Sequence, residues 1–220
     1  MLAKTVVLAV HTAVLILSIR PPPSAKTTSR ATDKIKDEGV FALLMIHLMP
    51  DVGQVAAMIG SAVYWAFMYR GWIASDLKTW QAMATTVAIL GYLLRAWAFR
   101  TLDRFFTYAL TIRPNHKLVQ DGPYKYLLHP SYTGLMMTGM TYLAFLVYQG
   151  YWDAIARPIL DILPIRIPMP GELVTLGFLV ACVGLTIYRV RGEEQMLKDH
   201  FKSEFTAYAS KRWRFIPFVV

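Results

Sequence analysis

Five apolar windows, each close to 20 residues long, constrain this chain more than any other feature. They cover residues 2–19, 52–69, 80–99, 131–149 and 172–188. A helix needs roughly 20 apolar residues to cross about 30 Å of hydrocarbon, and a helix satisfies all its backbone hydrogen bonds within a bilayer. Only 17% of the residues are charged, whereas soluble domains have about 25%. The windows therefore predict an all-α integral membrane protein with about five transmembrane helices.

The segments around these windows carry their own predictions. The first window predicts an uncleaved anchor, because no small-residue cleavage site follows it. The short apolar run 40–49 is expected either to lie in the membrane interface or to extend the second span as a kinked helix. Residues 150–171 contain four prolines, which predicts an interfacial connection too broken for a helix. Apolar residues recur at three- and four-residue spacing in the tail from Gly192, which predicts an amphipathic helix of about five turns on the cytosolic side.

Lysine and arginine are distributed unequally between the two sides that five spans would create. Seventeen lie in the loops 20–51 and 100–130 and in the tail from Arg189, against five on the other side. Because positive loops stay in the cytosol, the C-terminus is predicted to be cytosolic and the N-terminus outside or lumenal. We expect this charge to face anionic lipid headgroups and not nucleic acid. The single cysteine, Cys182, excludes an internal disulfide and a cysteine-based metal cluster, and we predict no metal site.

A polar segment punctuated by glycine and proline, D-G-P-Y-K-Y-L-L-H-P-S-Y-T-G at residues 121–134, leads directly into the fourth window. Pro130 suits the first position of a helix, where its missing N–H costs nothing. His129 precedes a proline, is disfavoured in the α region, and is therefore expected to be the helix cap. The next N–H groups of this helix would face residues 121–129. They predict an anion site at the edge of the membrane.

Charged residues at the end of the fifth window are expected to meet this segment. The loop 100–130 and the tail emerge on one side, so packing of the fourth and fifth spans would bring His129 toward Arg189, Glu193 and Glu194. Charges at membrane depth are costly and tend to mark function. Structural alternatives are a helical ion pair between Arg189 and Glu193, snorkelling of Arg189 to the headgroups, and a satisfied cap at His129. Because Glu193 and Glu194 are about 100° apart on a helix, one of them is expected to face solvent.

Three separated blocks of sequence resemble the isoprenylcysteine carboxyl methyltransferase family. They are H-K-L-V-x-D-G-P-Y-x-Y-x-x-H-P-S-Y-T-G from His116, R-V-x-G-E-E-x-x-L from Arg189, and F-x-x-E-F-x-x-Y followed by I-P in the tail. An upstream R-T-L-x-R-F-F-T-Y fits the fungal-type members. The resemblance spans about residues 95–218, in the family's order and spacing.

Two departures from the family's pattern accompany this resemblance. Leu128 stands where the family usually has arginine before the His-Pro pair, and residues 201–205 replace the usual F-G-x-x-Y of the tail. The missing guanidinium puts cofactor affinity or substrate choice in question. Arg113 or Lys125 is the expected substitute for that charge.

The resemblance implies S-adenosylmethionine as methyl donor and the carboxylate of a C-terminal prenylated cysteine as acceptor, giving a methyl ester. It implies a multi-pass protein of the endoplasmic reticulum membrane, with a cytosolic active site and with prenylated protein C-termini as partners besides the lipid bilayer. It also implies one membrane methyltransferase domain over residues 1–220. In that domain residues 1–99 would form the N-terminal spans and residues 100–218 the cofactor-binding and catalytic half.

Site residues carry over by their positions in the family's motifs. Those implied to bind the cofactor are His116, Leu118, Val119, Gly122, Pro123, Tyr124, His129, Pro130, Tyr132, Gly134 and Glu193. Those implied to be catalytic are Arg189, Glu193 and Glu194. Arg189 is expected to hold the acceptor carboxylate, and Glu193 or Glu194 to bind the cofactor's amino group. A carboxylate with a pKa near 3.5 is already ionised at pH 7, so His129 is not assigned as a general base.

Three alternatives remain open at this stage. A phospholipid or small-amine N-methyltransferase would use the same cofactor with an amine acceptor. Membrane sterol reductases, which use NADPH, share a similar C-terminal half, but they typically have tryptophan where this chain has Pro123-Tyr124 and asparagine where it has Ser131. A non-catalytic membrane scaffold is the third alternative, which Leu128 makes conceivable.

Overall fold

The computed structural model describes residues 1–20, 40–106, 116–156, 162 and 171–216. Its α-helices are α1 (Leu2–Ile19), α2 (Val40–Tyr69), α3 (Thr79–Leu102), α4 (Pro130–Leu146), α5 (Gly171–Phe201) and α6 (Ser203–Ala209). Two short 3-10 helices, Asp103–Phe105 and Gly122–Lys125, lie between α3 and α4, and a π-helix, Val147–Ala156, continues α4. Within these ranges there is no strand, only an isolated bridge between Leu127 and Trp213. The all-α prediction is confirmed.

Four segments of the described chain are long and apolar enough to cross a membrane, namely Leu2–Ile19, Asp51–Tyr69, Thr79–Leu102 and Leu173–Phe201. They confirm the class of multi-pass integral membrane protein. Helix α4, the fourth of the five predicted spans, has 17 residues of regular α-helix, which is short of the roughly 20 needed. Its 10-residue π-helical continuation lengthens it.

Helices α1 and α3 run in the same direction, as the first and third crossings of a membrane require. Lys4, near the start of α1, donates a hydrogen bond to the carbonyl of Ala74 in the connection between α2 and α3 (2.7 Å). Ser18, near the end of α1, contacts Arg95 in the last third of α3. The ends of α1 and α3 therefore lie on one side of the bundle, where α4 begins.

Two segments differ from the sequence-based expectations. The prediction that residues 150–171 are too broken for a helix is wrong for residues 150–156, which are helical. The physical reason is that the first proline of the segment is Pro158, so no backbone donor is missing before it. Residues 157–170, apart from Ile162, lie outside the described chain. The run 40–49 is continuous with α2, as the helical-extension alternative proposed.

The tail also differs from its prediction. The segment from Gly192 is helical as predicted, but it is not a single helix of five turns, because its first part continues α5 without a break to Phe201 and its second part is α6. The chain turns at Lys202, whose φ is 49°, a conformation uncommon outside glycine. The short helix α6 follows and buries Phe205 and Tyr208. The apolar side of α6 is therefore covered by the protein itself.

Helices α3 and α4 cross at two glycines. A Cβ added to Gly91 would lie 2.7 Å from the carbonyl oxygen of Gly134, and a Cβ on Gly134 would overlap the carbonyl oxygen of Gly91. Thr138, one turn along α4, donates to the carbonyl of Ala88 on α3 at 3.2 Å. Small residues allow this close approach of backbones in membrane helices. Gly134 thus has a packing role, in addition to any role at the site.

A buried arginine fixes the level at which α4 begins. Arg95 lies one turn after Gly91 on α3 and is 5% exposed. Its Nε donates to the carbonyl of Ser18 at 2.6 Å, and its Nη1 donates to the carbonyl (2.9 Å) and hydroxyl (2.6 Å) of Ser131. A buried charge needs such partners. Arg95 therefore ties α1 and α3 to the first turn of α4.

The close crossing of α3 and α4 predicts an asymmetric response to two alanine substitutions. Gly91→Ala forces backbone atoms apart, and we expect it to destabilise the protein by about 1–3 kcal/mol, as overpacking does in well-packed cores. Gly139→Ala is the matched control on α4, because its added Cβ meets no atom of the described residues within 4 Å. Thermal unfolding in detergent micelles measures both variants. Equal melting temperatures would contradict this packing.

Candidate active site

A buried side-chain contact joins the start of α4 (residues 129–133, which we call the mouth of α4) to the end of α5. His129 is the N-cap of α4 and Pro130 its first residue, as predicted. The imidazole makes no cap hydrogen bond to the helix; instead its Nε2 lies 3.1 Å from Oε1 of Glu194 on α5. Both side chains are buried. The two stretches expected to be neighbours are therefore in direct contact.

The Glu194 carboxylate accepts hydrogen bonds from protein groups at both of its oxygens. Arg214 donates its Nε to Oε1 at 2.8 Å and its Nη2 to Oε2 at 3.0 Å. This is the bidentate geometry in which an arginine binds a carboxylate most strongly. Together with His129, these donors occupy both oxygens of Glu194.

The neighbouring carboxylate, Glu193, faces a different set of groups. The hydroxyl of Tyr132, a half-buried residue, interacts with Glu193 and Arg189 through hydrogen bonding and charge. Burial raises the pKa of Tyr124 well above its usual value, and the negative charge of Glu193 adds to this shift. The positive charge of Arg95 opposes it. Glu193, Arg189 and the two tyrosines therefore form one cluster beside the contact between His129 and Glu194.

The loop before α4 is shaped by residues that the resemblance assigned to the cofactor. Gly122 has a φ of 55°, and a Cβ there would lie 2.7 Å from the Thr101 hydroxyl. Only glycine fits both the left-handed conformation and the space. Pro123 and Tyr124 follow in a 3-10 helix and are buried. This turn directs the Tyr124 side chain inward.

A cavity of about 330 Å³ lies between this loop and the end of α3. Leu118 and Val119 line it from the loop, and Thr101, Asp103 and Phe105 line it from the end of α3 and the 3-10 helix that follows. It thus includes two of the residues that the resemblance assigned to the cofactor.

The ring of His116 packs at the edge of the same region. It lies 5.0 Å from the ring of Phe105 and 5.9 Å from that of Phe201, at the end of α5. The structure therefore brings the loop residues, the end of α3 and the end of α5 to one side of the bundle.

Residues 212–216, which we call the C-terminal strap, pair with the segment before α4. Backbone N–H groups of Leu128 and His129 donate to the carbonyls of Trp213 (2.8 Å) and Arg214 (3.1 Å), and Trp213 donates back to Tyr126 (3.2 Å). Thr133 in the first turn of α4 donates its hydroxyl to the carbonyl of Phe215 at 2.8 Å. The strap therefore lies against the mouth of α4.

The guanidinium of Arg212 anchors the start of the strap. Its Nε donates to the carbonyl of Tyr124 at 2.8 Å, and it lies 3.9 Å from the ring centre of Tyr208. The Tyr208 hydroxyl donates to the same carbonyl at 3.2 Å. Helix α6 and the strap thereby hold the 3-10 helix that contains Tyr124.

Three arginines of this region were missed by the sequence analysis. Arg95 is a lone charge inside an apolar window, a signal that by itself indicates a functional or structural role. Arg212 and Arg214 were counted only toward the positive side of the membrane, and no local pattern marks their partners. Of the two expected substitutes for an arginine at Leu128, Arg113 lies outside the described residues.

The other expected substitute, Lys125, is exposed and lies 5.7 Å from the ring centre of Tyr126. The guanidinium that reaches the carboxylate beside His129 is that of Arg214. Arg214 therefore supplies a positive charge to Glu194, the carboxylate beside His129.

Comparisons with known proteins agree with the motif blocks. The isoprenylcysteine carboxyl methyltransferase family is matched over residues 83–167. Protein-S-isoprenylcysteine O-methyltransferase B of Arabidopsis thaliana is 25% identical over 211 residues, which cover 95% of this chain and 88% of the relative. Two probable protein-S-isoprenylcysteine O-methyltransferases of Oryza sativa, from subsp. indica and subsp. japonica, are 25% identical over 135 residues, 60% of this chain and 59% of each relative. The chain is therefore similar to the isoprenylcysteine carboxyl methyltransferase family, and the resemblance inferred from its motifs is confirmed.

Proposed function

We propose that this chain transfers the methyl group of S-adenosylmethionine to the C-terminal carboxylate of a prenylated cysteine. It would do so in the endoplasmic reticulum membrane, on prenylated protein C-termini, with its active site and C-terminus in the cytosol. The observation that carries the proposal is the 3.1 Å contact between His129 and Glu194, which joins the two motif-bearing stretches beside Glu193 and Arg189. The similarity to proteins named as isoprenylcysteine O-methyltransferases supports this reaction and acceptor.

The chemistry of the donor set fits S-adenosylmethionine. That molecule carries an ammonium and a sulfonium, a carboxylate, and a largely apolar nucleoside. A carboxylate near tyrosine rings suits the cationic part, and Glu193 with Tyr124 and Tyr132 provides such a place. The cavity lined by Leu118 and Val119 suits an adenine ring. When bound, the cofactor supplies an electrophilic methyl group on its sulfonium.

Within this proposal the two adjacent glutamates have different roles. Glu194 already accepts hydrogen bonds from His129 and Arg214, so its oxygens have little capacity left for a ligand. Glu193 interacts with Tyr132 and lies close enough to Tyr124 to affect its charge state. We therefore assign the cofactor's ammonium to Glu193, and assign Glu194 to the support of His129.

The protein's part in the reaction is to position and to exclude water. The acceptor carboxylate is ionised at neutral pH, so no side chain needs to remove a proton. Arg189 would hold one carboxylate oxygen and leave the other free to attack in line. Such alignment lowers a barrier by several kcal/mol. The buried Tyr124 and the half-buried Tyr132 would exclude water from the reacting groups.

The exposed surface of α5 offers a route for a lipid-borne acceptor. Leu185 and Tyr188, within one turn of Arg189, are exposed apolar and aromatic side chains on a membrane-spanning helix. A prenyl chain dissolved in the bilayer would reach the level of Arg189 along such a surface without crossing water. This explains why a small methyltransferase is built into a membrane.

Methyl transfer in membranes is the direct test of this function. Membranes containing the protein are incubated with tritiated S-adenosylmethionine and with farnesyl-cysteine, geranylgeranyl-cysteine or phosphatidylethanolamine. We expect label in the base-labile ester of the prenylcysteines, at a rate that changes little above about pH 5, because the carboxylate is already ionised there. Label in phosphatidylethanolamine, at a rate that rises through the pKa of its amine, would instead support the N-methyltransferase alternative.

Arg189→Ala separates acceptor binding from cofactor binding. Because Arg189 is assigned to the acceptor carboxylate, we expect methyl transfer to fall by about 100-fold or more. The affinity for S-adenosylmethionine, measured by calorimetry in detergent, should stay within about twofold of wild type. Arg191→Ala, an exposed arginine on the same helix, is the matched control and should leave both unchanged. Equal losses of transfer and of cofactor affinity in Arg189→Ala would place Arg189 at the cofactor.

His129→Ala tests the location of the cofactor site. Removing the imidazole takes away a group at the mouth of α4 and leaves Glu194 without one donor. We expect the dissociation constant of S-adenosylmethionine to rise about tenfold, which is the loss of affinity expected when one hydrogen bond to a charged or polar group is removed. A variant that is folded and binds with wild-type affinity would show that the cofactor lies elsewhere.

A further inference from the structure

Arg214 lies in the C-terminal strap, outside the residues assigned to the cofactor and acceptor. Its guanidinium reaches both oxygens of Glu194 at 2.8 and 3.0 Å. One of these oxygens also faces Nε2 of His129. The Arg214 side chain is 45% exposed, whereas those of Glu194 and His129 are 9% and 3% exposed. An accessible cation thus compensates a carboxylate buried against the imidazole.

The three residues form a closed cycle of contacts. The backbone N–H of His129 donates to the carbonyl of Arg214 at 3.1 Å, the Arg214 guanidinium binds Glu194, and Glu194 returns to the His129 ring. Arg214 therefore holds His129 in two ways: its carbonyl accepts from the His129 backbone, and its guanidinium binds the glutamate that contacts the His129 ring. Since each contact limits the other two, the ring orientation depends on the docked strap.

The ionised carboxylate of Glu194 also determines which ring nitrogen carries a proton. A carboxylate only accepts hydrogen bonds, so the nitrogen facing it, Nε2, must be an N–H. In the neutral ring Nδ1 is then the acceptor. Such an orienting partner fixes both the rotation and the tautomer of a histidine, as is seen around histidines that bind metals.

We propose that Arg214 is a positioning residue of the cofactor site. It docks the C-terminal strap on the mouth of α4 and, through Glu194, holds the His129 imidazole in one rotamer and one tautomer toward S-adenosylmethionine. The proposal rests on the proposed function for the identity of the ligand. It differs from a purely structural ion pair because it predicts a change in cofactor affinity that passes through Glu194.

A double-mutant cycle on the folded, full-length protein tests this. The variants are Arg214→Ala, Glu194→Gln and the double substitution, with Arg214→Lys as the conservative variant and Arg191→Ala as the exposed control on α5. Calorimetry in detergent measures the dissociation constant of S-adenosylmethionine, and methyl-transfer assays measure KM for the prenylcysteine. Hydrogen exchange reports on the backbone amides of residues 126–129 and 212–215.

We expect Arg214→Ala to raise the cofactor dissociation constant about tenfold, the lower range for loss of an orienting partner. KM for the acceptor should remain within about twofold, and Arg214→Lys should recover part of the affinity because it keeps the charge without the bidentate geometry. The double variant should bind no more weakly than Glu194→Gln alone, because coupled residues are not additive. Arg191→Ala should behave as wild type.

Several outcomes would overturn the proposal. Wild-type cofactor affinity in folded Arg214→Ala would reduce the ion pair to a structural role, and additive losses in the double variant would show that Arg214 does not act through Glu194. If Arg214→Ala does not fold, Arg214→Lys decides, since full affinity there would show that bidentate geometry is not needed. A wild-type protein that binds no S-adenosylmethionine would contradict the proposed function. Hydrogen exchange would then test the remaining claim, that Arg214 docks the C-terminal strap on the mouth of α4. Unchanged protection of the strap in the Arg214 variants would overturn that claim.

Discussion

A carboxylate buried where two helices end is the constraint on which this side of the molecule depends. Taking a charge out of water costs several kcal/mol unless partners replace the lost solvation. Glu194 obtains those partners from His129 at the mouth of α4 and from Arg214 in the C-terminal strap. Glu194 can therefore be buried only when the mouth of α4 and the C-terminal strap are both packed against α5. One buried charge therefore coordinates three segments that are far apart in the chain.

The position of the mouth of α4 depends in turn on its packing against α3. Gly91 and Gly134 bring the two backbones into contact, and Arg95, one turn later, binds the first turn of α4 at Ser131. Helix α3 thus supports the start of α4 from the neighbouring part of the bundle. The N-terminal spans contribute through Ser18, whose carbonyl accepts from Arg95.

The pair Glu193 and Glu194 shows how neighbours in sequence acquire different chemistry. The two side chains leave the helix about 100° apart, so each meets a different surface. Glu194 meets His129 and Arg214 and is neutralised within the protein. Glu193 interacts with Tyr132 of α4, and its charge reaches the buried Tyr124 of the loop. In the proposed reaction this division gives one carboxylate to the ligand and one to the support of the histidine.

From the sequence alone one could predict the all-α membrane class, the cap at His129 with Pro130 after it, and the meeting of the motif blocks at one end of the bundle. These follow from apolar length and proline geometry, which are local properties of the chain. The sequence did not predict that residues 150–156 are helical, that α5 continues through Gly192, or which groups Arg95 and Arg214 contact. Only the tertiary structure decided which glutamate is engaged, because that depends on the turn at Lys202 and the packing of the strap. Two adjacent residues with the same side chain differ only in what lies opposite each of them.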